Sequence, residues 1–329
     1  MNAENRQMRL GLQGALALAE AEGETASRRS RLRRQVETTH DIMSQLPEFN
    51  DIAFLHSGLC QTHLPHSRPA EDHALWRRDS GRFSLIVSPG ALAVPGGETR
   101  YVGVPYGSRA RLILIYLQTE GLKSRTVSLG KSLSAFMRSL NLAVTGGKNG
   151  TINAVREQSM RIARCSFSLQ WTTSDARGER TIITDSRLVE GLDLWKSSED
   201  AYDWNAEVQL SEKFYEHLRE HAVPLDKRGL ALLSDKSLGL DLYALLAYRL
   251  PRLTKPFILR WSALQEQIGS QYQEPRHLKR KIEEIAGDVR AAYPQAKFDL
   301  LDGGISLHPS QQAVPKTLVN GCRLITAND

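Results

Sequence analysis

The sequence contains few cysteines and no long apolar segment. Its three cysteines, Cys60, Cys165 and Cys322, are scattered along 329 residues without a Cys-x-x-Cys pair. This spacing excludes a disulfide framework and a zinc ribbon, and it favours a reducing compartment. No apolar run approaches the ~18 residues that a membrane span needs, and glutamates follow the short apolar stretch at residues 14–19 where a signal cleavage site would lie. We therefore expect a cytoplasmic protein with no membrane partner.

The motifs of common enzyme classes are also missing. Residues 129–132 read LGKS, like the end of a phosphate-binding loop, but that pattern requires glycine at position 125, which is Arg125. There is no His-x-His pair of the kind expected in metal-dependent nicking enzymes, and neither G-x-S-x-G nor H-E-x-x-H occurs. We therefore predict that the protein is not an enzyme and uses no cofactor.

One dense group of potential metal ligands contains His56, Cys60, His63, His66 and His73. No pair in this group repeats a zinc-finger or zinc-knuckle spacing, and the prolines at positions 65 and 69 exclude a shared helix. Hence no metal site is predicted.

Positive charge is modest in total but clustered. The 43 Lys and Arg residues outnumber the 37 Asp and Glu residues by six, and the densest group lies in a helix predicted over residues 25–45. This basic arm contains Arg28, Arg29, Arg31, Arg33 and Arg34 with no acid between them. It is either a solvated helix face or an arm that binds phosphates, and the pattern is equally compatible with both.

The same order of elements is predicted twice, about 130 residues apart. Each copy has an apolar helix, a short strand, two further helices and a β-hairpin. The predicted ranges are 112–121, 125–129, 131–142, 151–164 and 165–184 in the first copy, and 238–250, 256–259, 261–268, 274–293 and 298–307 in the second. Three helices followed by a hairpin is the order of a winged helix. We therefore predict a helix-rich α+β fold of two tandem winged-helix domains, with an N-terminal basic helical extension.

The third helix of each copy has an apolar face and a basic, polar face suited to DNA. The predicted apolar positions are Ile152, Val155, Ser159 and Ile162 in the first copy, and Leu278, Ile282, Ile285 and Val289 in the second. Asparagine and arginine make bidentate contacts with base edges, so Asn153 and Arg156 are candidates for base readout. The full set of candidate DNA-binding residues is Lys148, Asn149, Asn153, Arg156, Arg161, Arg164, Arg177, Arg180, Arg276, His277, Lys279, Arg280, Lys281 and Arg290. The alternative is that these are ordinary solvated cations.

The chain resembles the plasmid-encoded replication initiators of RepA type, from about residue 56 to residue 308. The resemblance rests on residues 56–65 (HSGLCQTHLP), 101–111 (YVGVPYGSRAR), 129–133 (LGKSL), 238–243 (LGLDLY) and 248–251 (YRLP), followed by Trp261, Tyr293 and Pro294. None of these segments is a catalytic signature, so the specificity lies in their order and coverage. The histidine group would then be part of the family scaffold.

The resemblance implies binding to repeated sites in double-stranded DNA at a plasmid origin, local strand opening, and recruitment of a host initiator and helicase. In similar proteins the N-terminal winged-helix domain also forms a homodimer interface that switches the protein between initiation and autorepression. The family supplies no motif for base contacts, so the DNA-binding residues above rest on the helix faces alone.

Five segments are expected along the chain: a basic arm at 1–50, a first winged-helix domain at 51–190, a linker at 191–212, a second winged-helix domain at 213–310 and a tail at 311–329. Trp195, Tyr202 and Trp204 either pack the linker against a domain or form a strip that docks a partner, and packing is favoured. Three other functions stay open: a winged-helix transcriptional regulator, an origin-nicking or primer-making enzyme, and an assembly module whose basic surfaces only aid solubility.

Overall fold

The computed structural model describes residues 41–81, 83–93, 96–97, 99–147, 150–175, 178–192, 207–269 and 271–319. The chain forms two compact units. The central unit contains Phe54–Val223, and the terminal unit combines Met1–Ala53 with Pro224–Asp329. The terminal unit is therefore built from two separate segments, and the central unit is inserted between them.

Between residues 52 and 221, the described part of the chain contains ten strands and five α-helices. They are β1 (Ile52–His56), α1 (Ser57–Gln61), β2 (Trp76–Ser80), β3 (Phe83–Ser88), β4 (Ala91–Ala93), β5 (Thr99–Tyr101), α2 (Gly107–Gly121), β6 (Thr126–Ser128), α3 (Leu133–Ser139), α4 (Thr151–Arg164), β7 (Ser166–Asp175), β8 (Gly178–Arg187), β9 (Val189–Leu192), β10 (Glu207–Leu210) and α5 (Glu212–His221).

The elements that follow are β11 (Ala222–Asp226), α6 (Lys227–Leu232), α7 (Ser237–Arg249), β12 (Phe257–Arg260), α8 (Trp261–Ile268), α9 (Pro275–Ala292), β13 (Phe298–Leu301) and β14 (Gly304–Leu307). Short 3₁₀ turns occur at Phe49–Asp51 and Leu250–Arg252. Strands β1 and β11 form a two-stranded sheet, and the chain passes from one unit to the other within each of them.

The main sheet of the central unit has the strand order β2-β3-β7-β8. Strand β3 alternates as an amphipathic strand should, since Phe83, Leu85 and Val87 are buried and the residues between them are partly exposed. Leu85 and Val87 lie opposite Leu169 and Phe167 of β7. This shared apolar face explains why β3 and β7 are neighbouring strands.

Helices α2 and α4 pack on one another beside a second, three-stranded sheet with the order β6-β10-β9. The apolar run of α2 is buried, including Leu112, Ile113, Leu114 and Ile115. Helix α3 begins at a serine cap, because the Ser132 hydroxyl accepts a hydrogen bond from the Ala135 amide at 3.0 Å.

In the terminal unit, α7, α8 and α9 pack together beside a three-stranded sheet with the order β12-β14-β13. Helix α9 begins with a proline at its first position and fully buries Leu278, Ile282 and Val289. The 3.6-residue period of the sequence therefore identifies the face of α9 that meets the core.

The two segments of the terminal unit are joined through Arg228. Its guanidinium pairs with the buried Asp226 carboxylate at 2.7 Å and also donates to the carbonyl oxygens of Ile42 (3.1 Å) and Gln45 (3.2 Å). Met43 is buried as well. Residues 41–53 are thus an integral part of this unit's core.

Every element predicted for the two copies is present, but the copies differ in their sheets. In the second copy the short strand β12 pairs with the hairpin strand β14. In the first copy the short strand β6 pairs with β10, while the hairpin of β7 and β8 pairs with β3. The copies therefore share an order of elements and not a strand arrangement.

The units also divide the chain differently from the expected boundaries. Helix α5, expected at the start of the second domain, lies in the central unit, and residues 207–210 of the expected linker form β10. Val314, expected in the tail, is fully buried in the terminal unit. Trp195, Tyr202 and Trp204 lie outside the described residues, and only residues 41–45 of the predicted N-terminal helix are described.

None of the helices that the structure describes combines the length and the hydropathy of a membrane span.

Candidate nucleic-acid interface

The first half of α9 presents an exposed basic face. Burial of Leu278 and Ile282 against the core turns the intervening side chains outward, so Arg276 and Arg280 are 74% and 71% exposed and Lys281 is 43% exposed. The amino-terminal end of a helix also carries the positive end of its dipole. These groups together suit a phosphate backbone, and His277 is exposed beside them.

Acidic side chains lie close to each of these cations. Arg276 contacts Glu274 at 2.6 Å, and Lys281 contacts Glu284 at 2.6 Å, with Arg280 3.9 Å from the same Glu284. Exposed pairs of this kind contribute little stability and are screened by salt. The local positive field is therefore weaker than the sequence pattern suggests, and a bound phosphate would have to compete with these glutamates.

Lys279 connects α9 to the turn of the β13–β14 hairpin. Its ammonium donates to the Asp302 carboxylate at 2.9 Å and lies 3.8 Å from Glu283. The hydrogen bond raises the pKa of Lys279 and lowers the pKa of Asp302. The Trp261 indole donates to the carbonyl oxygens of Leu301 and Asp302, both at 3.0 Å, so the turn is held from both sides.

Arg290 packs against the hairpin, whereas it was expected on the exposed, basic face of α9. Its guanidinium lies over the Phe298 ring at 4.5 Å and donates to the Phe298 carbonyl oxygen at 3.1 Å. Burial lowers its pKa, and the nearby Asp299 partly offsets this. The residue lies on the side of α9 that packs against β13.

Helix α4 exposes Asn153 and Arg156, as predicted, at the end nearest its amino terminus. The Asn153 side-chain amide donates to the Gly147 carbonyl oxygen at 3.0 Å, which leaves its side-chain oxygen to accept. Thr145 and Thr151 hydrogen-bond to one another across the preceding loop. This end of α4 is therefore ordered, with one arginine projecting from it.

Arg161 is the clearest correction on α4, because it was expected on the exposed face and is only 3% exposed. Its Nε donates to Glu157 at 3.1 Å, one terminal nitrogen to the Val104 carbonyl oxygen at 3.0 Å, and the other to Asp72 at 3.3 Å. Arg161 therefore holds the loop before β2 and the segment before α2 against α4. The local sequence offers only Glu157, four residues earlier, as a hint of this role.

Arg164 is also engaged within the central unit. One of its terminal nitrogens donates to the Ala91 carbonyl oxygen at 2.6 Å, and the residue is partly buried. The inward face predicted for α4 also differs from the observed one. Gln158 is buried, whereas Ile152 and Ser159 are only partly buried. The buried face of α4 is thus rotated toward Gln158 and Arg161.

The remaining candidates are not tested by the structure. Arg180 lies in β8. Outside the described residues lie Arg28, Arg29, Arg31, Arg33, Arg34, Lys148, Asn149 and Arg177. Their contact with DNA stays a prediction.

The histidine group of the sequence does not assemble around a common point. The His63 and His66 rings lie 5.1 Å apart, whereas His56 meets two histidines of α5, His217 and His221, that the sequence reading did not single out. His217 and His221 are four residues apart and therefore lie on the same face of α5, and this spacing was the sequence feature that could have indicated their contact. Within the described residues, no group of three or more His, Cys, Asp or Glu side chains could hold a metal ion.

Comparison with known proteins gives one family. Residues 104–262 match the family described as plasmid encoded RepA protein, which confirms the resemblance over this part of the chain. No curated protein matches the chain significantly.

The chain is similar to two crystal structures of RctB domains 2 and 3. One, of selenomethionine derivatives, has a TM-score of 0.45 at 12% identity, covering 70% of this chain and 83% of that one. The other has a TM-score of 0.45 at 13% identity, covering 76% and 94%.

Proposed function

We propose that this chain, whose residues 104–262 match the plasmid-encoded RepA family, is a plasmid replication initiator that binds repeated DNA sites at an origin. The family match carries this proposal. Binding would promote strand opening and the recruitment of a host initiator and helicase, with autorepression by a dimer, and would involve no covalent chemistry.

The terminal unit supports the proposal through its order of elements. From α7 to β14 it runs helix, strand, helix, helix, strand, strand, and its short strand β12 pairs with the last hairpin strand. We assign this arrangement to a winged-helix domain with α9 as its recognition helix. The exposed arginines of α9 lie in its first half, the part that recognition helices present to base edges.

The central unit supplies the second proposed contact. Its helix α4 occupies the equivalent place in the order of elements, and Asn153 and Arg156 are the exposed side chains able to make bidentate contacts. Contacts of Lys148, Asn149, Arg177 and Arg180 with DNA are part of the same proposal. Arg161, Arg164 and Arg290 are left out because each is engaged within its own unit.

Footprinting the purified protein on the origin region of its own plasmid tests the function. Evenly spaced protected repeats, together with replication of a plasmid that carries this region, are the expected results. A single protected operator without replication would identify a transcriptional regulator. Equal affinity for origin and random duplex at physiological salt would indicate an assembly module.

An enzymatic function has its own test. Incubation with supercoiled origin DNA and Mg²⁺ should leave the DNA supercoiled and free of covalently bound protein. Relaxed or covalently trapped DNA would contradict the proposal and identify a nicking enzyme.

Replacing Asp302 with asparagine should strengthen DNA binding. The carboxylate of Asp302 occupies Lys279 and places a negative charge beside the proposed recognition helix. Its removal frees the ammonium for a phosphate, and we expect affinity for random duplex to rise about two- to fivefold at low salt. Titration of a fluorescent duplex measures the change. Asp235→Asn, an exposed site before α7, makes the same charge change near the second half of α9, where the neighbouring Lys236 pairs with Asp288. Equal affinity of the two variants would contradict the prediction.

A further inference from the structure

Three histidines and a tryptophan meet in the central unit. His56 ends β1, His217 and His221 lie on α5, and Trp171 lies on β7. The ring centroids are 4.8 Å apart for His56 and His217, 4.2 Å for His217 and His221, and 4.6 Å for Trp171 and His217. The rings thus form one stack that connects α5 to two strands.

The hydrogen bonds of this stack fix where its protons lie. The Gly58 amide donates to His56 Nδ1 at 3.1 Å, so that nitrogen must be unprotonated and the proton of the neutral ring lies on Nε2. His56 Nε2 is 2.7 Å from His217 Nδ1 and therefore donates to it. His217 Nδ1 is then an acceptor, and its own proton lies on Nε2.

An additional proton on the His56 or His217 ring would disrupt these hydrogen bonds. A proton on His56 Nδ1 would face the Gly58 amide, and a proton on His217 Nδ1 would face the His56 N–H. The proton on His217 Nε2 already lacks an acceptor, since this buried atom has no hydrogen-bond partner within the described part of the chain. The two hydrogen bonds of the stack are therefore compatible only with neutral His56 and His217 rings.

The surroundings also oppose charge on these rings. Burial lowers the pKa of His56 to about 3, with smaller effects of the same sign from His217 and His221. The pKa of His217 falls to about 4, first through burial and then through His221, while Glu220 acts in the opposite direction. The neighbouring rings of Trp171 and Phe214 cannot neutralise an added charge, and the Glu220 carboxylate lies 3.9 Å from His221 Nε2.

We propose that His56 and His217 form a proton-operated latch, which holds α5 against β1 and β7 while both rings are neutral and releases it when they are protonated. The latch does not depend on the proposed DNA function. Released histidines return to a pKa near 6.5, so the open state gains protons as the pH falls below that value while the closed state does not. Acid therefore favours opening.

Hydrogen exchange of the full chain, followed by mass spectrometry at pH 7 and pH 5, tests the latch. After correction for intrinsic exchange rates, protection of the amides of residues 212–221 should fall about 25-fold through His56 alone, and further when His217 titrates. Protection in α2 and β3 should change by less than about twofold. Unchanged protection of α5, or an equal loss throughout the unit, would overturn the proposal.

Variants separate the latch from general acid sensitivity. The double variant His56→Gln, His217→Gln carries side-chain amides that can hydrogen-bond but cannot titrate. The amide protection of its α5 should therefore be the same at pH 7 and pH 5. His217→Gln alone changes a less buried site. Between pH 7 and pH 5, the loss of α5 protection in this variant should be smaller than in the wild type. His73→Gln, at an exposed histidine of the same unit, is the matched control and should respond as the wild type does. A full response in either His217 variant would overturn the latch.

Discussion

Replacing Arg276, Arg280 and Lys281 together with alanine should reduce affinity for origin DNA roughly 100- to 1000-fold at low salt. All three side chains project from the first half of α9, where no core packing depends on them. If each contacts a phosphate, the slope of log affinity against log salt should also become shallower by about 2.7. Binding isotherms of a labelled origin repeat at several salt concentrations measure both quantities.

The matched control removes three exposed cations from the central unit, Lys123, Lys213 and Arg219. Both triple variants lose the same charge, and neither should change unfolding free energy by more than about 0.5 kcal/mol per site. The control variant should lose far less affinity than the α9 variant. Equal losses would mean that net charge alone drives binding, and α9 would be removed from the interface.

Replacing Arg161 with alanine should destabilise the central unit by roughly 3 kcal/mol. The change removes hydrogen bonds to Glu157, Val104 and Asp72 at once and leaves the Val104 carbonyl without this partner. The cost is below that of a fully buried ion pair, because both carboxylates are partly exposed to water. In a unit of this size the thermal transition should fall by about 10 °C, which calorimetry of the full chain would detect.

Arg156→Ala is the control on the same helix. Arg156 is exposed, so its removal should leave the melting temperature unchanged within about 2 °C while weakening DNA binding. Arg161→Lys retains the charge but not the branched set of donors, and it should melt between the wild type and the alanine variant. Equal melting temperatures for Arg156→Ala and Arg161→Ala would contradict the role assigned to Arg161.

Local patterns were sufficient for the elements of both copies. The predicted and observed bounds coincide for α4 and for α8, because each is flanked by a sharp change of pattern: a glycine-rich turn before α4, an alternating strand after it, and a short strand before α8. The apolar face of α9 also follows directly from its spacing. These features depend on neighbours within a few residues.

Such local patterns could not predict contacts between residues that are far apart in the sequence. The strand at Thr126–Ser128 carries no information that its neighbour is β10, about 80 residues further on. Arginine is normally a surface residue, so helical periodicity placed Arg161 outside, although Asp72, 89 residues earlier, helps to hold it inside. The same limit applies to His56, whose partner His217 is 161 residues away and not among the nearby histidines.

The inserted arrangement of the chain has a consequence for synthesis on the ribosome. Residues 41–53 belong to the terminal unit, but the Arg228 and Asp226 side chains that join this segment to the unit are made only after the 170 residues of the central unit. At bacterial and eukaryotic elongation rates this delay is roughly 10 to 30 s, long compared with the folding of most small domains. The central unit can therefore fold while the first segment still waits for its partners, so the proposed recognition helix α9 is completed last.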